Sequence, residues 1–399
     1  MNITDYGAVP GSDISAATHA AMLAGHGVVP AGNWVVDPAT GIKLDQPGMR
    51  LELEPGAIVS VAPTSLPNYA AVTISADDCT VTGPGTIVGD LTTHTGSTGE
   101  WGHGISIVAG GDYATVERVT VVECWGDGVY VSGGVLGAHI VDVTSLRNRR
   151  NGLSVVGATG AKIDGGRFNY SGTIGGGTAP RGGIYFEPNP NSGLHVIEFS
   201  ANNVEASYNL GAGIAVIRAA AQTTRGRIAG AVTVGNGGAG VYSAGSTGSL
   251  AADVSDVTAA YNLHGVNATA PGMIVSGGHI YSNTQHGVTA SAKVKLKGTT
   301  IDYNQRSGVL LAAGADSSSL VGVESSANST SGSYVEVDIA ADNCHVVGSL
   351  VLPSSAASWG VAVRSGATKA RLVGSTILPG ASGSVSAQAD TVQTGLIKA

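Results

Sequence analysis

The stretch Val119–Val131, VTVVECWGDGVYV, reads as an apolar run, a turn, a glycine and an alternating Val-Tyr-Val. The same phrase returns at Asn148–Val155 (NRRNGLSV), Asn209–Val216 (NLGAGIAV), Asn236–Tyr242 (NGGAGVY), Asn283–Thr289 (NTQHGVT) and Asn304–Leu310 (NQRSGVL). Taking the glycine as a register mark gives Gly104, Gly128, Gly152, Gly183, Gly213, Gly240, Gly265, Gly287 and Gly308, in steps of 24, 24, 31, 30, 27, 25, 22 and 21 residues. Units this short, each β-rich, cannot bury an apolar face alone; they stack, and each coil covers its neighbours.

Composition agrees. The chain has 399 residues, 61 of them glycine, with 12% charged and 43% hydrophobic residues. That excludes a helical bundle and a disordered chain, and fits many short strands joined by tight turns. A net charge of −8 leaves no basic face to neutralise phosphates, so nucleic acid is not an expected partner. Cys79, Cys124 and Cys344 are odd in number and far apart, without metal-ligand spacing; they read as small buried fillers. No apolar run reaches membrane-spanning length, and the N-terminus shows no signal peptide.

Near the start, Asn2–Ala8 reads as a short strand and turn. Asp13 or Ser15 then caps a helix to about Ala24, with Ile14, Ala17, Ala21 and Met22 on one face and Gly25 and Gly27 beyond its end. A strand is expected over Gly32–Val36, and Leu51–Val61 alternates as two strands about a Pro-Gly turn. The opening ITDYGAVPGSDISAATHAAMLAG, with Asp5-Tyr6-Gly7-Ala8, resembles the entry segment of pectate-lyase-like right-handed β-helix proteins, which include pectate lyase 3-type enzymes, phage tailspikes and mannuronan epimerase-like proteins. Gly177–Pro190, GTAPRGGIYFEPNP, resembles a segment common in the same group, in which a Gly-Ile strand ends in Glu-Pro-Asn.

The resemblance covers nearly the whole chain and is specific for fold rather than reaction. It implies an all-β, single-stranded right-handed parallel β-helix with a short N-terminal capping helix. Residues 1–70 then form the cap and first coils, 71–379 the β-helix and 380–399 a C-terminal tail or cap, as one continuous domain. It also implies a homotrimer, a polysaccharide partner, and an extracellular or virion-associated location.

The column four before the marker holds Asn148, Asn209, Asn236, Asn283 and Asn304 and reads as an internal asparagine ladder, broken by Glu100 and Cys124. Residues two and four after the glycine should face outward, among them Tyr130, Tyr185, Glu187 and Tyr242. One before it stand His103, Asp127 and Asn151. If these face out, the carboxylate would raise the histidine's pKa, whereas a turn-capping aspartate is the plainer reading. Trp101 and Trp125 share a column, as a stacking platform or as capped core.

Arginines cluster from Arg147 to Arg181. Glu123 precedes Arg147 by one coil as an ion-pair partner, whereas Arg150 and Arg181 show no such partner and are free to grip a sugar carboxylate. The long Gly-rich insertion Tyr170–Arg181 is the expected wall of the groove.

The candidate catalytic residues are therefore His103, Asp127, Tyr130, Arg150, Arg181, Tyr185 and Glu187, with Glu100, Trp101, Trp125, Arg149 and Tyr242 binding substrate. Arginine neutralisation of a uronate acidifies its α-proton for removal by His or Tyr, so β-elimination is preferred to hydrolysis or C5-epimerisation. Hydrolysis needs paired carboxyl groups, and neither Asp127 with Glu187 nor Glu187 with Glu100 presents itself as a pair in the sequence. The Asp-Pro-His-Glu stretch of mannuronan epimerases is missing. No cofactor is expected, and Ca2+ finds no cluster of outward aspartates. The rival class is a non-catalytic, glycan-binding fibre or tailspike component.

Overall fold

The computed structural model describes residues 1–174, 176–219, 221–245, 250–332, 334–388 and 390–398. It is a nearly all-β parallel solenoid with one short α-helix, divided into two compact units, Met1–Gly211 and Ala212–Ala399.

In the first unit each coil contributes short strands to three parallel sheets. Thr115–Glu117 pairs with His139–Val141, Thr120–Val122 with Thr144–Leu146, and Val129–Val131 with Leu153–Val155, each shifted by one repeat. The strands that position the site are β1 (Trp101–Ile107), β2 (Val129–Val131), β3 (Leu153–Val155) and β4 (Ile184–Phe186). They lie side by side in that order, in register at Ile105, Val129, Leu153 and Ile184. Each sends alternate side chains into the core, where Val129 and Val131 are buried around a half-exposed Tyr130.

The marker glycines line up as the repeat requires. The Ile105 N–H donates to Gly128 O (2.9 Å), that of Val129 to Gly152 O (3.0 Å) and that of Leu153 to Gly183 O (2.9 Å). Close approach explains the residue type: a Cβ on Gly128 would sit 2.0 Å from Ser145 Oγ, and one on Gly152 2.9 Å from Phe168 Cβ.

The core of this unit is dense. Phe168, Phe186 and Phe199 are fully buried, with Phe186 and Phe199 stacked at 3.8 Å. Burying one such side chain contributes about 1.5–3 kcal/mol. Cys79, Cys124 and Cys344 are buried and free, as expected of fillers.

At the chain's start, Ile3–Tyr6 is a 3-10 turn where a strand was expected, because Asn2 accepts the Thr4 N–H and Gly7 closes the turn with φ +89°. Helix α1 (Ser15–Leu23) follows, and both the N–H and hydroxyl of Ser15 donate to Asp13 Oδ1 (3.1 and 2.7 Å). Thr18, Ala21 and Met22 face inward.

The second unit repeats the coil, with β5 (His264–Ala268), β6 (Val288–Ala290), β7 (Val309–Leu311) and β8 (Val337–Ile339) adjacent and parallel. An asparagine ladder runs under its turns. The side-chain amides of Asn236, Asn262, Asn283 and Asn304 donate in turn to the Oδ1 of the next asparagine, at 2.8, 3.2, 2.8 and 2.7 Å, ending at Asn328. Asn262 and Asn328 join the expected column although their spacing from the glycine differs. The last rung is a carboxyl: Glu336, fully buried, accepts from the Asn328 amide, the Asn328 N–H and Ser325 Oγ.

Candidate active site

An open cleft of about 200 Å³ lies on the outer face of the sheet formed by β1 to β4. Its lining is Glu100, Trp101, Tyr130, Arg150, Val156, Glu187, Pro188, Asn189 and Pro190. They arrive from four coils: Glu100 just before β1, Tyr130 mid-β2, Arg150 in the turn before β3, and Glu187 just after β4. Residues up to 90 apart in sequence thus become neighbours because coils stack at the strand spacing of about 4.8 Å.

Arg150 is the hub. Its Nη1 lies 3.3 Å from Asp127 Oδ2 and its Nε 3.8 Å from Glu100 Oε1, and Nε also donates to Ala179 O at 3.4 Å. The expectation of an unpartnered Arg150 is therefore corrected: its charge is already met by two carboxylates. Glu187 is half-buried, and burial raises its carboxyl above the usual range against the opposing pull of Arg150, with the Asp127 charge adding to the rise. The cleft lining therefore carries two carboxyl groups, Glu100 and Glu187, to one guanidinium, while Asp127 is fully buried and does not line it.

Beneath it runs a second ladder. Asp127 N–H donates to His103 Nδ1 (3.2 Å), Asn151 N–H to Asp127 Oδ1 (2.9 Å), and Gly182 N–H to Asn151 Oδ1 (2.8 Å). Each side chain caps the coil after its own, so the one-before-glycine column points inward. His103 and Asp127 are buried, and the expected rise in the histidine's pKa is reversed: desolvation lowers it to about 4, outweighing Asp127. With Nδ1 accepting a backbone N–H, the neutral ring carries its proton on Nε2. It stacks on Tyr130 at 4.4 Å, and burial raises that phenol's pKa.

Other sequence candidates fall outside the cleft. Trp101 is exposed (45%) and lines it, but Trp125 is buried (9%), with His94 stacked at 3.8 Å and the Arg149 Cζ 3.6 Å from its ring centroid. Neither Trp125 nor Arg149 is offered to a substrate, since Arg149 is itself 9% exposed and donates to Gly99 O (3.1 Å). His94 in turn pairs with buried Asp90 at 2.8 Å, and the Tyr69 hydroxyl donates to the same carboxylate, a cluster with no repeat signature.

Tyr185 occupies an outward position yet is buried (7%). Arg181 lies with its stem against Gly172 and is not brought to the cleft. Tyr242 belongs to the second unit, between Ala215 and Asn267. None of the described residues of the insertion Tyr170–Arg181 lines the cleft; Glu187–Pro190 does, and its signal was the Glu-Pro-Asn-Pro run itself. Arg147 meets Glu123 at 2.9 Å as expected.

Among the described residues no group of three or more His, Cys, Asp or Glu could hold a metal ion, and no helix is long and apolar enough to cross a membrane.

No protein-family model matches the chain. Two Bacillus subtilis (strain 168) proteins align with part of it: the uncharacterized protein YclG, 29% identical over 184 residues (40% of this chain, 31% of that protein), and the SPbeta prophage-derived uncharacterized protein YorA, 28% over 166 residues (34% and 28%). The matched stretch thus spans about a third of each relative. Among solved structures, the N-terminal fragment of bacteriophage phi29 gene product 12 is similar over 100% of this chain and 70% of that one (14% identity, TM-score 0.63). The E. coli bacteriophage HK620 tailspike, a mutant in complex with a pentasaccharide, is similar over 99% and 78% (13% identity, TM-score 0.63). The Azotobacter vinelandii mannuronan C-5 epimerase AlgE6 A-module covers 100% and 99% (18% identity, TM-score 0.48). The fold of this chain is the right-handed parallel β-helix of the phage tailspikes.

Proposed function

We propose that the protein binds a polysaccharide across the cleft between Glu100 and Glu187 and hydrolyses a glycosidic bond there. The observation that carries this reading is the pair of unlike carboxyl groups in one cleft. Glu187 is pushed by burial toward its protonated form, and Glu100 is held beside the Arg150 guanidinium. That division suits an acid that protonates the leaving oxygen and a carboxylate that activates water or attacks the sugar carbon. Exposed Trp101 offers a flat apolar face to a sugar ring.

The same geometry speaks against elimination, the chemistry preferred on sequence grounds, and against epimerisation. Arg150 has no free fork for a uronate, and burial makes Tyr130 harder to deprotonate. His103 is neutral, but its Nδ1 is occupied by a backbone N–H.

The likeness to bacteriophage proteins, one of them a tailspike with a bound pentasaccharide, and to a prophage-derived relative supports a virion-associated or extracellular role on a glycan. The reading invokes no metal or cofactor, so turnover is expected to survive EDTA, and its loss on chelation would overturn that part of the reading.

The test is a panel of neutral and acidic bacterial surface polysaccharides, followed by reducing-end and unsaturated-uronate assays. New reducing ends without unsaturated product are expected. Unsaturated product would establish elimination instead, and retained binding with neither product would make the protein a glycan-binding fibre.

A further inference from the structure

In the second unit, the columns that build the cleft of the first recur with different chemistry. One before the marker stand His264 and His286, and two before it Arg306, the positions of His103, Asp127 and Arg150 in the first unit. Among the described residues no carboxylate takes Asp127's role. The two imidazoles stack in parallel at 5.8 Å, and Tyr334 meets His286 edge-on at 6.4 Å. The Arg306 Cζ lies 5.5 Å from the Tyr334 ring centroid.

We propose that His264, His286, Arg306 and Tyr334 form a second glycan-binding site, selective for a sugar that carries a carboxylate. Among the described residues Arg306 has no ion pair and its guanidinium no hydrogen bond. Its backbone is pinned instead, by its own N–H to Gln285 O (2.9 Å) and by Ser329 N–H to its carbonyl (2.7 Å). A partly buried guanidinium without a carboxylate is poised for a planar oxyanion, which it can take bidentately. Both histidines bury an Nδ1 that has no hydrogen-bond partner, and His286, itself buried, is left with only its Nε2 edge for a ligand. Among the described residues, the charges acting on the two rings are those of Arg306 and, for His286, His264, with the Tyr334 ring packed edge-on against His286.

Tyr334, 36% exposed and held by its N–H to Ser329 Oγ (2.7 Å), adds an apolar ring face beside these donors, which suits a pyranose rather than a bare ion. The site would retain an acidic chain without cutting it, since it lacks the carboxyl pair on which hydrolysis in the first unit depends.

Calorimetric titration of the full chain with oligogalacturonate, its carboxyl-reduced neutral counterpart and sodium sulfate tests this. The acidic sugar should bind, more weakly as salt is added. Arg306→Lys and His286→Gln, each melting as the wild type does, should each weaken it at least tenfold, and Glu187→Gln should not. The site is refuted by absent binding, by equal affinity for the neutral sugar, by unchanged affinity in both variants, or by sulfate binding as tightly as the sugar. Because Glu187→Gln removes only the proposed hydrolysis, failure of either site leaves the other's test intact.

Discussion

Glu187 follows a strand whose three residues are all buried, so its carboxyl leaves bulk water before it reaches the cleft. Glu187→Gln, which keeps shape and removes the acid, should lower kcat/KM by about 10²–10⁴ with little change in melting. In the wild type the rate should fall as pH rises through the elevated Glu187 pKa. Arg150→Gln removes the charge that holds that pKa down, so the basic limb of the surviving activity should move to higher pH. The two tryptophans separate binding from packing: Trp125→Ala should cost about 3–5 kcal/mol in denaturant unfolding. Trp101→Ala should leave stability nearly unchanged and weaken glycan binding. Sequence spacing alone could not tell these rings apart, because Trp125 is covered not only by Arg149, next in its own column, but by His94, whose approach depends on an irregular loop rather than on the repeat.

At the level of the ladder, the periodic asparagines were legible and their terminus was not. An amide that accepts from one coil and donates to another can repeat indefinitely. Glu336, by contrast, is a lone acid whose place under the turn shows only once Asn328 is seen beside it. Desolvation raises its pKa from 4.5 to about 7, against the hydrogen bonds it accepts. The folded state therefore keeps a proton that the unfolded chain releases. The resulting stabilisation is full below pH 4.5 and is lost as pH rises through about 7, a difference of about 3 kcal/mol. Urea midpoints should fall accordingly from pH 5 to pH 8. Glu336→Gln, permanently neutral, should flatten that fall and gain stability at pH 8. An unchanged slope would remove the buried acid as its cause. The inward His103–Asp127–Asn151 column is a parallel case: the sequence left open a turn cap, the plainer reading, and a surface dyad, and the backbone N–H groups these side chains cap make the column structural.

Across the whole molecule, the fold could be read from the sequence because a solenoid writes its geometry as a period, and close packing at Gly128 and Gly152 forbids any side chain there. The site was only partly legible. Convergence of Glu100, Arg150 and Glu187 depends on how three irregular turns project, and period says nothing about projection. The resemblance to tailspikes also implies a homotrimer, and sedimentation equilibrium should return three chains; a single-chain mass would remove that assembly. The central claim is that one cleft holds the sugar between Glu187, whose carboxyl burial pushes toward its protonated form, and Glu100, held beside the Arg150 guanidinium. A crystal structure of Glu187→Gln with a bound oligosaccharide tests it most directly. The glycosidic oxygen should lie within hydrogen-bonding distance of residue 187, with a sugar ring against Trp101 and Glu100 on the far side of the bond. A sugar bound elsewhere on the first unit, with this cleft empty, would contradict it.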